Sequence, residues 1–140
     1  MSCYLRFCGD KLDVKEIIET LKLKPSKVWE KGLPRFKSNP KRLNKHSGFN
    51  ILVSDAELDE FSKQKIEAIE YLSKNNKLLS SIINYKGIDG GDLDFGIEWR
   101  NVAVQCDNFP STLIKLVGQI GLGLELSQYE PPEDEEEDET

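Results

Sequence analysis

Apolar residues in this chain recur with two spacings, every second residue and every third or fourth, and the spacings alternate from residue 3 to residue 129. A strand turns every second side chain to one face, whereas a helix repeats after 3.6 residues. A chain patterned this way folds as a sheet with helices laid against it. Cys3, Leu5 and Phe7 alternate with Tyr4, Arg6 and Cys8 and predict a half-buried strand that Gly9-Asp10 ends. Asp13 stands three residues before Glu16 as a capping box, and Val14, Ile17, Ile18 and Leu21 give a short amphipathic helix closed by Pro25. Residues 26–31 predict a short strand, and residues 33–46, polar and broken by Pro34 and Pro40, a long loop. Phe49, Ile51 and Val53 resume strand alternation.

Ser54 with Glu57 repeats the capping-box spacing before a helix carrying Leu58, Phe61, Ile66, Ile69 and Leu72. That helix breaks at Asn75-Asn76 and continues through Leu78, Leu79, Ile82 and Ile83. Gly87, Gly90 and Gly91 mark a turn over 86–92. Leu93–Trp99 and Val102–Cys106 both alternate, with Arg100-Asn101 between them, and predict an antiparallel hairpin. Pro110 opens a helix through Leu113, Leu116, Val117 and Ile120, Gly121 caps it, and Leu122, Leu124 and Leu126 form a last strand. The sum is an α+β domain over residues 1–129. Its sheet is mostly antiparallel, backed by helices on one face, in two loosely similar β/α halves.

Charge is segregated. Eight of the 25 acids follow Tyr129, so residues 1–129 keep 17 acids against all 19 Lys and Arg, a net of +2. Residues 22–46 hold nine bases and one acid, Glu30. The chain is thus a near-neutral domain with a basic segment and an acidic tail, 130–140, expected to be disordered. No apolar run nears the roughly 18 residues of a membrane span, and Met1–Arg6 lacks the pattern of a secretion signal. A cytoplasmic protein is expected. Cys3, Cys8 and Cys106 have no metal-ligand spacing, and His46 is the single histidine, so no metal or cofactor is expected and the thiols read as buried or inert.

Several runs carry a resemblance. Leu5-Arg6-Phe7-Cys8-Gly9-Asp10 and the helix with Ile17 and Leu21 are followed by Leu23-Lys24-Pro25-Ser26-Lys27-Val28-Trp29-Glu30-Lys31-Gly32. Ser47-Gly48-Phe49-Asn50 opens the next strand, and Gly121 precedes a strand ending at Tyr129. Over residues 4–129 the chain resembles the bacterial domain of unknown function 4279 family. The family pattern often places tryptophan at Phe49 and an acid at Gln128. The resemblance implies the fold and no catalytic chemistry. Some relatives resemble neighbours of secreted-toxin systems, which implies an immunity role.

Two charged segments carry competing readings. The acidic tail, with Glu133, Asp134, Glu135, Glu136 and Glu137, reads as a solvated tail, as a phosphate mimic for a basic cleft on a nuclease-type toxin, or as a segment folding back on 22–46. Asp92, Asp94 and Glu98 would add attraction at the sheet rim, with Trp99 or Tyr85 as the buried anchor. The basic segment reads as a mobile loop, or as a phosphate grip in which Lys24, Lys27, Lys31 and Arg35 hold an anion beside Trp29. The glycines of 87–91 lack the dinucleotide-binding spacing, and Asp89, Asp92 and Asp94 lack a calcium ladder. His46 has no nucleophile at a recognisable elbow, so no enzyme is expected. The first expectation is a non-enzymatic, immunity-like protein-binding module with a basic partner, and the alternative is a nucleic-acid or phospholigand binder.

Overall fold

Strand β1, Cys3–Gly9, runs through the middle of the computed structural model, which describes residues 2–131. The elements that follow are α1 (Val14–Leu21), β2 (Lys27–Trp29), β3 (Pro34–Phe36), β4 (Asn39–Leu43) and β5 (Ser47–Ser54). Then come α2 (Phe61–Lys74), α3 (Asn76–Ile83), β6 (Gly90–Glu98), α4 (Ser111–Ile120) and β7 (Gly123–Tyr129). Five strands form one sheet in the order β2-β5-β1-β6-β7, and β3 with β4 forms a separate pair. Every pair in the large sheet is antiparallel except β6 with β7. The fold is α+β. Its halves share a plan: β1-α1-β2 and β6-α4-β7 each return a strand by way of a helix, but β5 lies between β1 and β2.

Register gives the sheet two unlike faces. Leu5 lies between Ile51 and Leu93, and Phe7 between Phe49 and Gly91. These apolar side chains meet Ile17, Leu72, Leu79 and Leu113 of the helices in one core. The odd positions of β1 are buried and the even ones half-buried. The helix-free face carries Tyr4, Arg6 and Cys8, flanked by Leu52, Asn50 and Gly48 on one side and by Asp94 and Asp92 on the other. Lys27 and Trp29 extend that face opposite Asn50 and Gly48.

Local signals hold at several ends. The Glu16 N–H donates to Asp13 Oδ1 at 3.1 Å, the expected cap of α1. The helix breaks at Asn75, as its sequence predicts. Gly121, at φ 92°, ends α4 in the left-handed conformation that a side chain disfavours.

Four expectations change. Residues 33–46 are a β-hairpin, with Pro34 paired to Leu43 and Phe36 to Asn39. Both faces of that hairpin are exposed, so no alternation of apolar residues announces it. Ser54 does not cap α2: its Oγ accepts the Ala56 N–H and Glu60 Oε1 the Glu57 N–H, both ahead of the helix, whose N-cap is Glu60 without a side-chain cap bond. That helix starts at Phe61, and its Ile66 is exposed. Gly90 and Gly91 begin β6, where Gly91 makes room for the Phe7 ring; Gly87 alone supplies the turn at positive φ. Finally, Val102–Cys106 is no strand. Strands β1 and β7 occupy both edges of β6, so Val102 and Val104 stay exposed. Side chains shape that segment instead, with the Arg100 N–H donating to Gln105 Oε1 at 2.7 Å and the Arg100 guanidinium to Asp107.

Candidate functional site

The β3–β4 hairpin and the helix-free face enclose a cavity of about 620 Å³. Its neck is fixed by short backbone bonds: the Gly32 N–H donates to Asn44 O, and the Asn44 N–H returns to Leu33 O at 2.9 Å. Asn44 Nδ2 also donates to Glu30 O, and Ser47 Oγ accepts the Lys31 N–H at 2.9 Å. These bonds set the hairpin on the body, although its own side chains bury little.

Six basic side chains line the cavity: Arg6 from β1, Lys27 from β2, Arg35 and Arg42 from the hairpin, and Lys45 and His46 beyond it. Among the described residues, no acid lines it. Lys27, Arg35, Arg42 and Lys45 pair with no carboxylate among the described residues, whereas His46 and Asp10 interact through their charges. Arg35 and Arg42 lie over the Phe36 ring at 5.3 and 5.9 Å, and its π-face attracts both guanidiniums. Crowded cations repel one another unless an anion comes between them.

Arg6 differs. Its guanidinium donates to Asp94 at 3.2 Å and to Glu125 at 3.1 Å, so its position is fixed and its charge largely answered. Asp94 is buried, and its other oxygen accepts from Ser127 Oγ at 2.8 Å. One wall is Trp29, half-buried and seated on Gly48: a Cβ built on Gly48 would lie 2.5 Å from Trp29 Cζ2 and 2.8 Å from Cε2. Asn50 lies between Arg6 and Lys27. Its Oδ1 is shut off from solvent with no donor among the described residues, which leaves its amide N–H2 as the end that can serve the cavity.

Of the residues singled out for phosphate, Lys27, Trp29 and Arg35 come together here. Lys24 and Lys31 do not. Lys31 Nζ donates to Asp10 Oδ1 at 2.6 Å, and that hydrogen bond, with the charge behind it, holds the Asp10 carboxyl below its ordinary value. Arg42, Lys45 and His46 join them from the same basic segment, without having been singled out, and Arg6 and Asn50 join from outside it. The available signal was Arg6 and Asn50 themselves, polar residues at strand positions facing away from the apolar alternation.

The expected partner surface is scattered. Asp94 lies buried beneath Arg6 and Ser127 instead of at a rim, while Asp92 is exposed and Glu98 half-buried. Tyr85 packs on the core with its hydroxyl donating to Glu16 Oε1 at 3.0 Å, so it is no free anchor. Trp99 is 42% exposed. Glu133, Asp134, Glu135, Glu136 and Glu137 lie outside the described residues. Of the thiols, Cys3 is buried, which pushes its pKa up, and Cys106 is exposed. No group of metal-ligating side chains is found among the described residues, and no helix there is long and apolar enough to cross a membrane.

No curated protein and no solved structure matches the chain. Residues 1–131 match the profile described as "Domain of unknown function (DUF4279)", and the chain belongs to that family.

Proposed function

We propose that the protein is a non-catalytic binding module for a small, multiply charged anion such as a phosphorylated metabolite. One observation carries this reading: among the described residues, four basic side chains without a carboxylate partner, Lys27, Arg35, Arg42 and Lys45, converge on one cavity that no acid lines. The volume lies within the roughly 300–1,000 Å³ usual for small-molecule sites. Among the described residues the lining holds no carboxylate, thiol or hydroxyl side chain, which supports capture over turnover. Calorimetric titration with inorganic tripolyphosphate is the test. Binding at micromolar concentration, weakened at least tenfold between about 50 and 300 mM salt, is expected because exposed charges are screened over about 8 Å at physiological ionic strength. Absence of heat at both salt concentrations would remove the reading.

A second reading has its own support. The Trp99 N–H donates to Tyr129 O at 2.7 Å, so two exposed aromatic residues share one corner with the start of the acidic segment. That corner suits an immunity-like contact with a cationic toxin, aromatic anchors supplying affinity and carboxylates speeding encounter. Removing residues 130–140 is expected to slow association with such a partner, most strongly at low salt, and to leave dissociation unchanged. Surface plasmon resonance with the full-length and shortened proteins measures both rates, and equal association rates would detach the acidic segment from this reading.

A further inference from the structure

The cavity is more than a patch of positive charge, because one of its walls is an indole. We infer that its occupant is a free nucleoside di- or triphosphate, with the base stacked on Trp29 and the phosphate chain held by the hairpin cations. The inference rests on the anion-binding reading and narrows it.

Three features converge on this class of ligand. First, Trp29 projects from the helix-free face and is absent from the core. Gly48, lacking a side chain, lets the indole settle against the strand on one side, while the ring also lines the cavity. A supported aromatic with a free face is a platform for a planar base, and such stacking accepts every base. Second, Lys27 sits two residues before Trp29 on the same face, a separation of about 7 Å along a strand. That offset is comparable to the distance from a nucleobase to its first phosphate. The base and the start of the phosphate chain thus have adjoining partners.

Third, the charges match in number. Arg6 is answered by Asp94 and Glu125, which leaves Lys27, Arg35, Arg42 and Lys45 as cations unanswered among the described residues. A phosphate monoester carries about 1.5–2 negative charges near neutral pH, so two or three linked phosphates balance such a set. Arg35 and Arg42, held over Phe36, present planar forks suited to paired phosphate oxygens. A bare anion would leave Trp29 unused. A long polynucleotide would need a groove that continues past the hairpin, whereas the neck bonds of Gly32 and Asn44 close this one at its base.

Titration of the full chain with ATP, GTP, tripolyphosphate, adenosine and a ten-nucleotide single-stranded RNA tests the assignment. At least one nucleotide is expected to bind five- to a hundredfold more tightly than tripolyphosphate, the increment usual for one stacked base. It should also quench tryptophan fluorescence. W29L is expected to remove that advantage and the quenching while changing tripolyphosphate affinity less than about twofold, and W29F, which keeps an aromatic face, to retain most of the advantage. Nucleotides binding no better than tripolyphosphate would overturn the stacked base and leave the anion-binding reading intact. Failure of every anion to bind would overturn both. RNA binding more than tenfold tighter than either nucleotide would overturn the free nucleotide in favour of a polymer.

Discussion

Replacing Gly48 with alanine is expected to lower the unfolding free energy by about 3 kcal/mol, at the upper end of what overpacking costs. The reason is where the new methyl would stand. Gly48 belongs to β5, paired with Cys8 on one side and Trp29 on the other. Its Cβ would collide with the Phe7 carbonyl oxygen and lie 2.5 Å from Trp29 Cζ2. The indole can swing away, but the carbonyl belongs to the central strand and cannot move without disturbing the β1–β5 ladder. For a domain of this size 3 kcal/mol corresponds to roughly 10 °C in melting temperature. Gly90→Ala is the control, because nothing lies within 4 Å of its Cβ and its φ is not positive. That change is expected to stay within about 1 kcal/mol of neutral, or to stabilise slightly by restricting the unfolded chain. Thermal melts of both variants check the contrast, and near-ultraviolet circular dichroism reports whether Trp29 has lost its seat. Equal melting temperatures for G48A and the native protein would contradict the packing described for the helix-free face.

That face also shows why part of the structure was legible in the sequence and part was not. Alternation at Leu5, Phe7, Ile51, Leu93 and Phe95 reports which side chains are buried, because a strand packed on one side must alternate. Caps such as Asp13 and Gly121 report helix ends, because they answer to local backbone chemistry. Neither signal says which strands are neighbours. The alternation at Val102 and Val104 looks like a strand, yet β6 has no free edge to receive it. The hairpin of 34–43 buries neither face, so it has no period to detect.

The candidate site was hidden for a related reason. Lys27, Trp29 and Arg35 are close in sequence and could be grouped by composition. Arg6 joins them only because β5 pairs with both β1 and β2, bringing the solvent-facing positions of three strands into one row. Asp94 belongs to the same geometry: in sequence it is one of several acids near a glycine-rich turn, and in the fold it anchors Arg6 from below. Charge counting along a chain finds the basic segment. Only strand order shows that a cation from the first strand faces it.

The largest expected effect on binding comes from neutralising the hairpin side of the cavity. R35Q, R42Q and K45Q together are expected to lower tripolyphosphate affinity by about three orders of magnitude, since each charged hydrogen bond contributes on the order of 1.5 kcal/mol. Glutamine keeps polarity and the inner part of each stem, so the loss measures the charged end groups together with their reach. Stability should move little. All three residues are exposed, and none meets a carboxylate among the described residues. Loss of the two contacts with Phe36 costs a few tenths to 1 kcal/mol each, and relief of like-charge repulsion opposes that cost. The decisive comparison pairs calorimetric affinity at two salt concentrations with the melting temperature of each protein. The native protein should lose affinity as salt rises, and the triple variant should respond far less, because the screened charges have gone. A variant that keeps native affinity and native salt response would show that the hairpin cations do not hold the anion. Lost affinity accompanied by a fall of more than about 10 °C in melting temperature would instead make them structural, so the anion-binding reading requires affinity to fall while the melt stays in place.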